Sequence, residues 1–276
     1  MEGAWLERLE LRRANLRFPF PADLAEILTG KKITSLSRRA KYLMIYFEDG
    51  PVLVCHLGMS GSFRTLDDAV GEFAHTRSKI EAHDHVIFHL IGENGDKTRV
   101  IYNDPRRFGF MFLGTASDIF DNPHLAALGV EPTGNTLDAN SLARMMMGKA
   151  TPLKSALLDQ TLIAGLGNIY VCEALWRSGL SPKRKAGTLA KKNGTPTPKC
   201  NSLAIHIREV IADAIEAGGS SLRDHVQTDG SLGYFQHNFA AYDREGHACD
   251  HANCRGTIKR ITQSGRSTFY CWACQR

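Results

Sequence analysis

Four of the seven cysteines in this 276-residue chain crowd into its C-terminal tail as Cys249-x4-Cys254-x16-Cys271-x2-Cys274. Two cysteine pairs separated by enough chain for a hairpin bring four thiolates to one point, the donor set of a tetrahedral zinc site. In a reducing compartment the same cysteines would not persist as disulfides. His251 lies inside the first and wider knuckle, so three cysteines and one histidine form a second possible set. A segment this short cannot bury a core of its own, and bound metal would supply much of its folding free energy. Cys55, Cys172 and Cys200 stand singly and read as inert thiols.

The charge distribution points toward a polyanion. The net charge of +5 is modest, but there is no Asp or Glu between Ala174 and Arg208, nor after Asp250. The first stretch holds Arg177, Lys183, Arg184, Lys185, Lys191, Lys192, Lys199 and Arg208; the second holds Arg255, Lys259, Arg260, Arg266 and Arg276. Two acid-free basic stretches, one overlapping the cysteine tail, are the electrostatic footprint of a phosphate-backbone binder. With 43% hydrophobic and 23% charged residues the chain is neither disordered nor of low complexity. No apolar run nears the roughly 18 residues of a membrane span, and the first residues lack the order of a secretory signal, so a cytoplasmic protein is expected.

The pattern from Trp5 to about Leu113 is one of strands and turns. Residues 41–47 and 52–57 flank Glu48-Asp49-Gly50-Pro51, a hairpin signal, and residues 85–90 and 98–102 repeat it around Asn94-Gly95. With residues 108–113 these form an expected antiparallel sandwich, whose continuous apolar runs imply strands buried on both faces. The second half is helical. Ile207, Val210, Ile211, Ala214 and Ile215 share one helix face ahead of the stop Gly218-Gly219. Thr151-Pro152 opens a helix that runs into Gly165-Leu166-Gly167, after which Asn168 can cap the next helix, Ile169 to about Arg177. Residues 192–199 read as a surface loop.

Arg38-Arg39-Ala40-Lys41-Tyr42-Leu43, His56-Leu57-Gly58-Met59-Ser60-Gly61, Asn103-Asp104-Pro105-Arg106-Arg107-Phe108-Gly109, Gly165-Leu166-Gly167-Asn168-Ile169-Tyr170 and Gly265-Arg266-Ser267-Thr268-Phe269-Tyr270-Cys271 together resemble bacterial formamidopyrimidine-DNA glycosylases. The motifs stand in the family's order and cover nearly the whole chain. The resemblance implies an α+β protein with an N-terminal antiparallel β-sandwich (1–115), a helix-two-turn-helix domain (121–238) and a C-terminal zinc-finger β-hairpin (240–276). It implies excision of oxidised purines, 8-oxoguanine and formamidopyrimidines, from duplex DNA, followed by β,δ-elimination at the abasic site.

The residues carried over by motif position are Lys41 and Arg266 as catalytic, and His83, Arg106, Lys149, Lys154 and Asn168 as DNA-binding. Met59, Arg106 and Phe108 would fill the void left by a flipped base, and Cys249, Cys254, Cys271 and Cys274 would hold one structural Zn2+. An arginine suits Arg266's phosphate task because its fork grips two oxygens and stays charged. Residues 218–235 match the loop over the flipped purine, with glycines fit for a lid. The implied partner is double-stranded DNA containing an oxidised base, with no membrane, and the implied state is a monomer in a bacterial cytoplasm, associated with the nucleoid.

The family's nucleophile is an N-terminal proline in a Pro-Glu-Leu-Pro-Glu opening, whereas this sequence begins Met1-Glu2-Gly3-Ala4. Met1-Glu2-Gly3 aligns inside the family pattern, past its first helix, so that helix is expected to be missing and Glu2 is not the catalytic glutamate. Either Met1 is an internal methionine with a Pro-Glu segment upstream, the preferred reading, or the chain is a shortened product with little glycosylase activity. Two other functions stay open: the sister activity on oxidised pyrimidines, and a non-catalytic zinc-finger protein that binds damaged, distorted duplex.

Overall fold

Left-handed turn residues set the first half of the chain. Asp49 (φ 60°) and Gly50 (φ 97°) close the hairpin between β3 (Tyr42–Phe47) and β4 (Pro51–His56), as the turn signal predicts. The computed structural model describes residues 1–67, 80–134, 136–219 and 235–276. The expected lid therefore lies largely outside the described residues.

Two four-stranded antiparallel sheets form the sandwich. One has the order β1-β6-β7-β5, from β1 (Trp5–Leu11), β5 (Ser62–Asp67), β6 (Asp84–Ile91) and β7 (Lys97–Asn103). The other runs β2-β3-β4-β8, adding β2 (Ile33–Arg39) and β8 (Phe110–Thr115). Leu6, Ile45, Leu53, Phe88, Val100 and Tyr102 pack into one core that draws on both sheets, with Leu24 and Leu28 added by α1 (Leu24–Leu28). The opening residues belong to this body: the Gly3 N–H donates to Ile33 O and the Glu2 carboxylate accepts from Leu36 N–H. Glu2 thus has a structural partner on β2.

The chain divides into two compact units, residues 1–126, which end in α2 (Pro123–Ala126), and residues 127–219 with 235–276. In the second unit the Asp138 carboxylate and Ser141 form a reciprocal capping box at the head of α3 (Ala139–Met146). α4 (Leu153–Leu157) starts one residue later than expected, with Pro152 in the cap. α5 (Asn168–Arg177) has Gly167 in its cap, so Asn168 is the first helical residue and its side chain is used elsewhere. α6 (Pro198–Glu216) takes in the end of the supposed surface loop, because Thr197 accepts from Cys200 N–H and Pro198 fits the first turn. Ile207, Val210 and Ala214 of α6 are buried with Leu157, Val171 and Leu175. The hairpin of β9 (Ile258–Gln263) and β10 (Arg266–Cys271) sits in this same unit. Among the described residues, no helix is long and apolar enough to cross a membrane.

Candidate functional site

In the first unit, two loops present apolar side chains to solvent. Met59 is 55% exposed and Phe108 41% exposed, values at odds with core packing, and the exposed Arg106 guanidinium lies 4.9 Å from the Phe108 ring centre. The loops lie so close that a Cβ at Gly58 (φ +65°) would meet the Phe108 carbonyl carbon at 2.5 Å. At Gly109 a Cβ would meet the Tyr102 hydroxyl at 1.8 Å, so both positions require glycine. The half-buried His83 ends a short 3-10 turn ahead of β6, and its carbonyl accepts the Asp104 N–H.

Lys41 is exposed in the two-residue turn between β2 and β3, after Ala40 (φ 53°), and not in the strand itself. The Arg38 guanidinium braces that turn by donating to Ala40 O at 2.7 Å. His56 stacks on Phe110 at 5.1 Å and accepts the Gly58 N–H on Nδ1. Burial, and then the charges of Lys41, Arg17 and His124, hold its imidazole down to about 4, so it stays neutral.

In the second unit, Ser264 (φ 49°) and Gly265 (φ 71°) form the two-residue turn between β9 and β10, placing Arg266 exposed at the start of β10. Lys154 is fully buried, and its ammonium donates to Ser267 O (3.2 Å) and Thr268 Oγ1 (2.7 Å). The Asn168 amide donates to the same Ser267 O at 3.0 Å. Both side chains therefore hold the strand that carries Arg266. Burial pulls the Lys154 ammonium below its usual range; the charge of Arg266 adds to that and Cys172 opposes it. Lys149 is half-buried in the connection between α3 and α4.

The four tail thiols lie within 4.8 Å of one another and can hold a metal ion. Cys249 and Cys274 sulfurs are 3.7 Å apart, Cys254 and Cys271 sulfurs 3.6 Å. Burial raises the Cys271 thiol, but the N–H groups of Cys274 and Ala273 and the neighbouring thiols outweigh it and hold the group below its usual value. Donors aimed at sulfur are what a thiolate ligand requires. His251 stacks on Trp176 at 3.9 Å and reaches the Cys274 sulfur with Nδ1 at 3.3 Å, beside the four thiols. Cys55, Cys172 and Cys200 are buried, and burial raises each thiol, the last two to about 11. They are poor nucleophiles and poor ligands.

Sequence reasoning missed three residues that organise these parts. Ser60 and Asp104 lie beneath the two loops of the sandwich, and Glu173 on α5 accepts the N–H groups of Ala240, Ala241 and Tyr242 at 2.7 to 3.0 Å. Glu173 could have been noticed as a lone charge in the apolar run Val171-Cys172-Glu173-Ala174-Leu175.

A sandwich with protruding apolar and guanidinium side chains, and a helical body bearing a four-cysteine hairpin, together define a class: helix-two-turn-helix proteins with a cysteine-clustered finger. Residues 1–111 match the formamidopyrimidine-DNA glycosylase N-terminal domain and residues 128–226 match the formamidopyrimidine-DNA glycosylase H2TH domain, so the chain belongs to the formamidopyrimidine-DNA glycosylase family. It is 62% identical to the formamidopyrimidine-DNA glycosylase of Rhizobium etli over 100% of this chain and 94% of that protein. It is 61% identical to that of Mesorhizobium japonicum over the same shares. Among solved structures it resembles the Lactococcus lactis Fpg bound to abasic-site DNA, with a TM-score of 0.83 and 30% identity over 100% of this chain and 94% of that one. It also resembles MutM in complex with DNA containing carbocyclic 8-oxo-G, with a TM-score of 0.82 and 30% identity over 100% of this chain and 94% of that one.

Proposed function

We propose that this chain is a base-excision DNA glycosylase that removes oxidised purines from duplex DNA and nicks the resulting abasic site by β,δ-elimination. The observation that carries the reading is the exposed Met59, Arg106 and Phe108 on interlocked loops of a chain whose family membership spans both units. A base inside a duplex is out of reach of any side chain that attacks its sugar, so the target must be flipped, at a cost of a few kcal/mol in lost stacking. Met59 and Phe108 supply apolar surface to support the unstacked neighbours, and Arg106 supplies hydrogen-bond donors for the orphaned partner base.

His83, Arg106, Lys149 and Asn168 contact the phosphate backbone, which fixes register without reading sequence. Lys154 serves the same end from inside, by fixing the strand whose first residue, Arg266, grips the lesion phosphate. Lys41 moves protons in the elimination steps.

The tail binds one structural Zn2+. Four sulfurs about 2.3 Å from a tetrahedral zinc would stand about 3.8 Å apart. The sulfur separations of 3.6 and 3.7 Å support that ion, and it would cross-link the knuckles so that the hairpin aims Arg266. The protein acts as a monomer on double-stranded DNA in the bacterial cytoplasm.

Borohydride trapping on a duplex with one 8-oxoguanine tests the reading, using the 276-residue chain and the same chain preceded by a Met-Pro-Glu opening. A covalent adduct and a strand nick from either form support the enzyme. No adduct and no nick from both would leave a protein that only binds damaged duplex, and would overturn the enzymatic reading.

A further inference from the structure

Asp104 is fully buried, Ser60 is 1% exposed, and neither has a role in the scheme above. The Asp104 carboxylate accepts three hydrogen bonds from three segments. Ser60 Oγ–H donates to Oδ1 at 2.5 Å, while Tyr102 Oη–H (3.2 Å) and Gly109 N–H (2.9 Å) both donate to Oδ2. Its backbone is equally engaged. The Asp104 N–H donates to His83 O, and its carbonyl accepts from His85 Nε2 (2.9 Å) and Arg107 N–H (3.2 Å). Ser60 completes the link, because its Oγ also accepts the Arg106 N–H at 3.2 Å. One hydroxyl thus joins the residue after Met59 to the backbone of Arg106, and one carboxylate ties that hydroxyl to the residue after Phe108.

We infer that the Ser60–Asp104 pair is a positioning device for the void-filling step: it locks the Met59 loop and the Arg106–Phe108 loop into one rigid wedge and sets both against His83. The inference rests on the proposed glycosylase reading and adds residues to it that touch no DNA. The chemistry of the pair favours rigidity over mere stability. A carboxylate has only acceptor sites, so all three donors must converge on it. Tyr102 remains a donor because burial and the neighbouring carboxylate raise its phenol. A side chain that must enter a stacked duplex as a wedge loses less entropy if its backbone is already fixed. Close approach of the loops at Gly58 and Gly109 leaves no room for independent movement.

The experiment measures affinity for a tetrahydrofuran abasic-analogue duplex and for an undamaged duplex, with the full chain carrying Ser60→Ala, Asp104→Asn or both. Ser60→Ala removes the bridging hydroxyl with little change in volume. Asp104→Asn keeps the shape, but a single carbonyl oxygen cannot serve all three donors. Each variant should lose about tenfold in preference for the abasic-analogue duplex, with undamaged-duplex binding held within about twofold because Lys149, Asn168 and Arg266, which the pair does not touch, keep their phosphate contacts. The double variant should lose no more than the worse single, since both changes break one link. Met59→Ala should cost about tenfold in the unmodified chain and less than about twofold in Ser60→Ala, where the wedge is already loose. Ser60→Ala with full abasic preference, or an equal loss on both duplexes, overturns the inference while the glycosylase reading stands. An unmodified chain with no preference for the abasic-analogue duplex overturns that reading and the inference with it.

Discussion

The Met59 and Arg106–Phe108 loops of the sandwich keep their shape through a carboxylate buried beneath them and glycines that let their backbones touch. The hairpin that carries Arg266 has little beneath it: Ile258 and Phe269 form a small core with Ala241, and the rest is cysteine side chains and hydrogen bonds. The sandwich could afford to grow its site from a large core already present. The finger is too small for that, and takes its order from its cysteine cluster, which a metal ion would cross-link, and from α4 and α5, which reach into it with Lys154, Asn168 and Glu173. Rigidity near a ligand can thus come from hydrogen bonds that converge on one buried group, or from cross-links that replace a missing core.

Removing the proposed zinc should expose this difference most. Chelation is expected to withdraw on the order of 10 kcal/mol of binding free energy from the tail. Hydrogen exchange should then show β9 and β10 losing protection while β6 and β7 keep theirs. Equal loss in both regions would break the comparison.

A smaller effect should follow from Glu173→Ala, which leaves the N–H groups of Ala240, Ala241 and Tyr242 without an acceptor in a buried site. A cost of about 2–4 kcal/mol is expected, read as a fall in the denaturant midpoint and in strand nicking. Burial already pushes the Glu173 carboxyl above its usual range, with the three N–H groups opposing that rise. Glu173→Gln, which keeps one acceptor, should therefore lose less. If Gln and Ala lose equally, convergence on the carboxylate is not what holds residues 240–242.

Acid should weaken the sandwich by a route of its own, separate from chelation of the tail. His56 and His85 both have imidazoles lowered by burial, so the unfolded chain takes up protons before the folded one does. Their contribution to stability is complete above about pH 6.5 and is lost as pH falls through about 4, the value to which His56 is held. Melting temperature followed across that window should fall less steeply for His56→Asn, whose side-chain oxygen can still accept the Gly58 N–H. Parallel curves would remove His56 as a cause.

Much of the fold was legible because its signals are local. The Asp49-Gly50 turn, the apolar runs of β4 and β6 and the buried face of α6 can be read within a few residues of sequence. β1 was harder, because a register shift between Leu6 and Arg8 interrupts its alternation, and β2 is exposed along most of its length. The four clustered cysteines and the protruding residues were likewise marked by spacing and motif. What could not be read was what holds them. Ser60 and Asp104 are 44 residues apart, and Glu173 meets its partners 67 to 69 residues away. Lys154 looks like any surface lysine until its contacts with Ser267 and Thr268, more than a hundred residues on, show it buried.

The stacking of Trp176 on His251, with its indole N–H 3.3 Å from the Cys249 sulfur, has an optical consequence. Thiols and thiolates quench indole emission by accepting or donating electrons over such distances, and sulfur lone pairs committed to a d10 ion do so far less. The chain has only three tryptophans, so a metal ion entering the proposed tail site would be readable as brightness in the ultraviolet, with no dye attached.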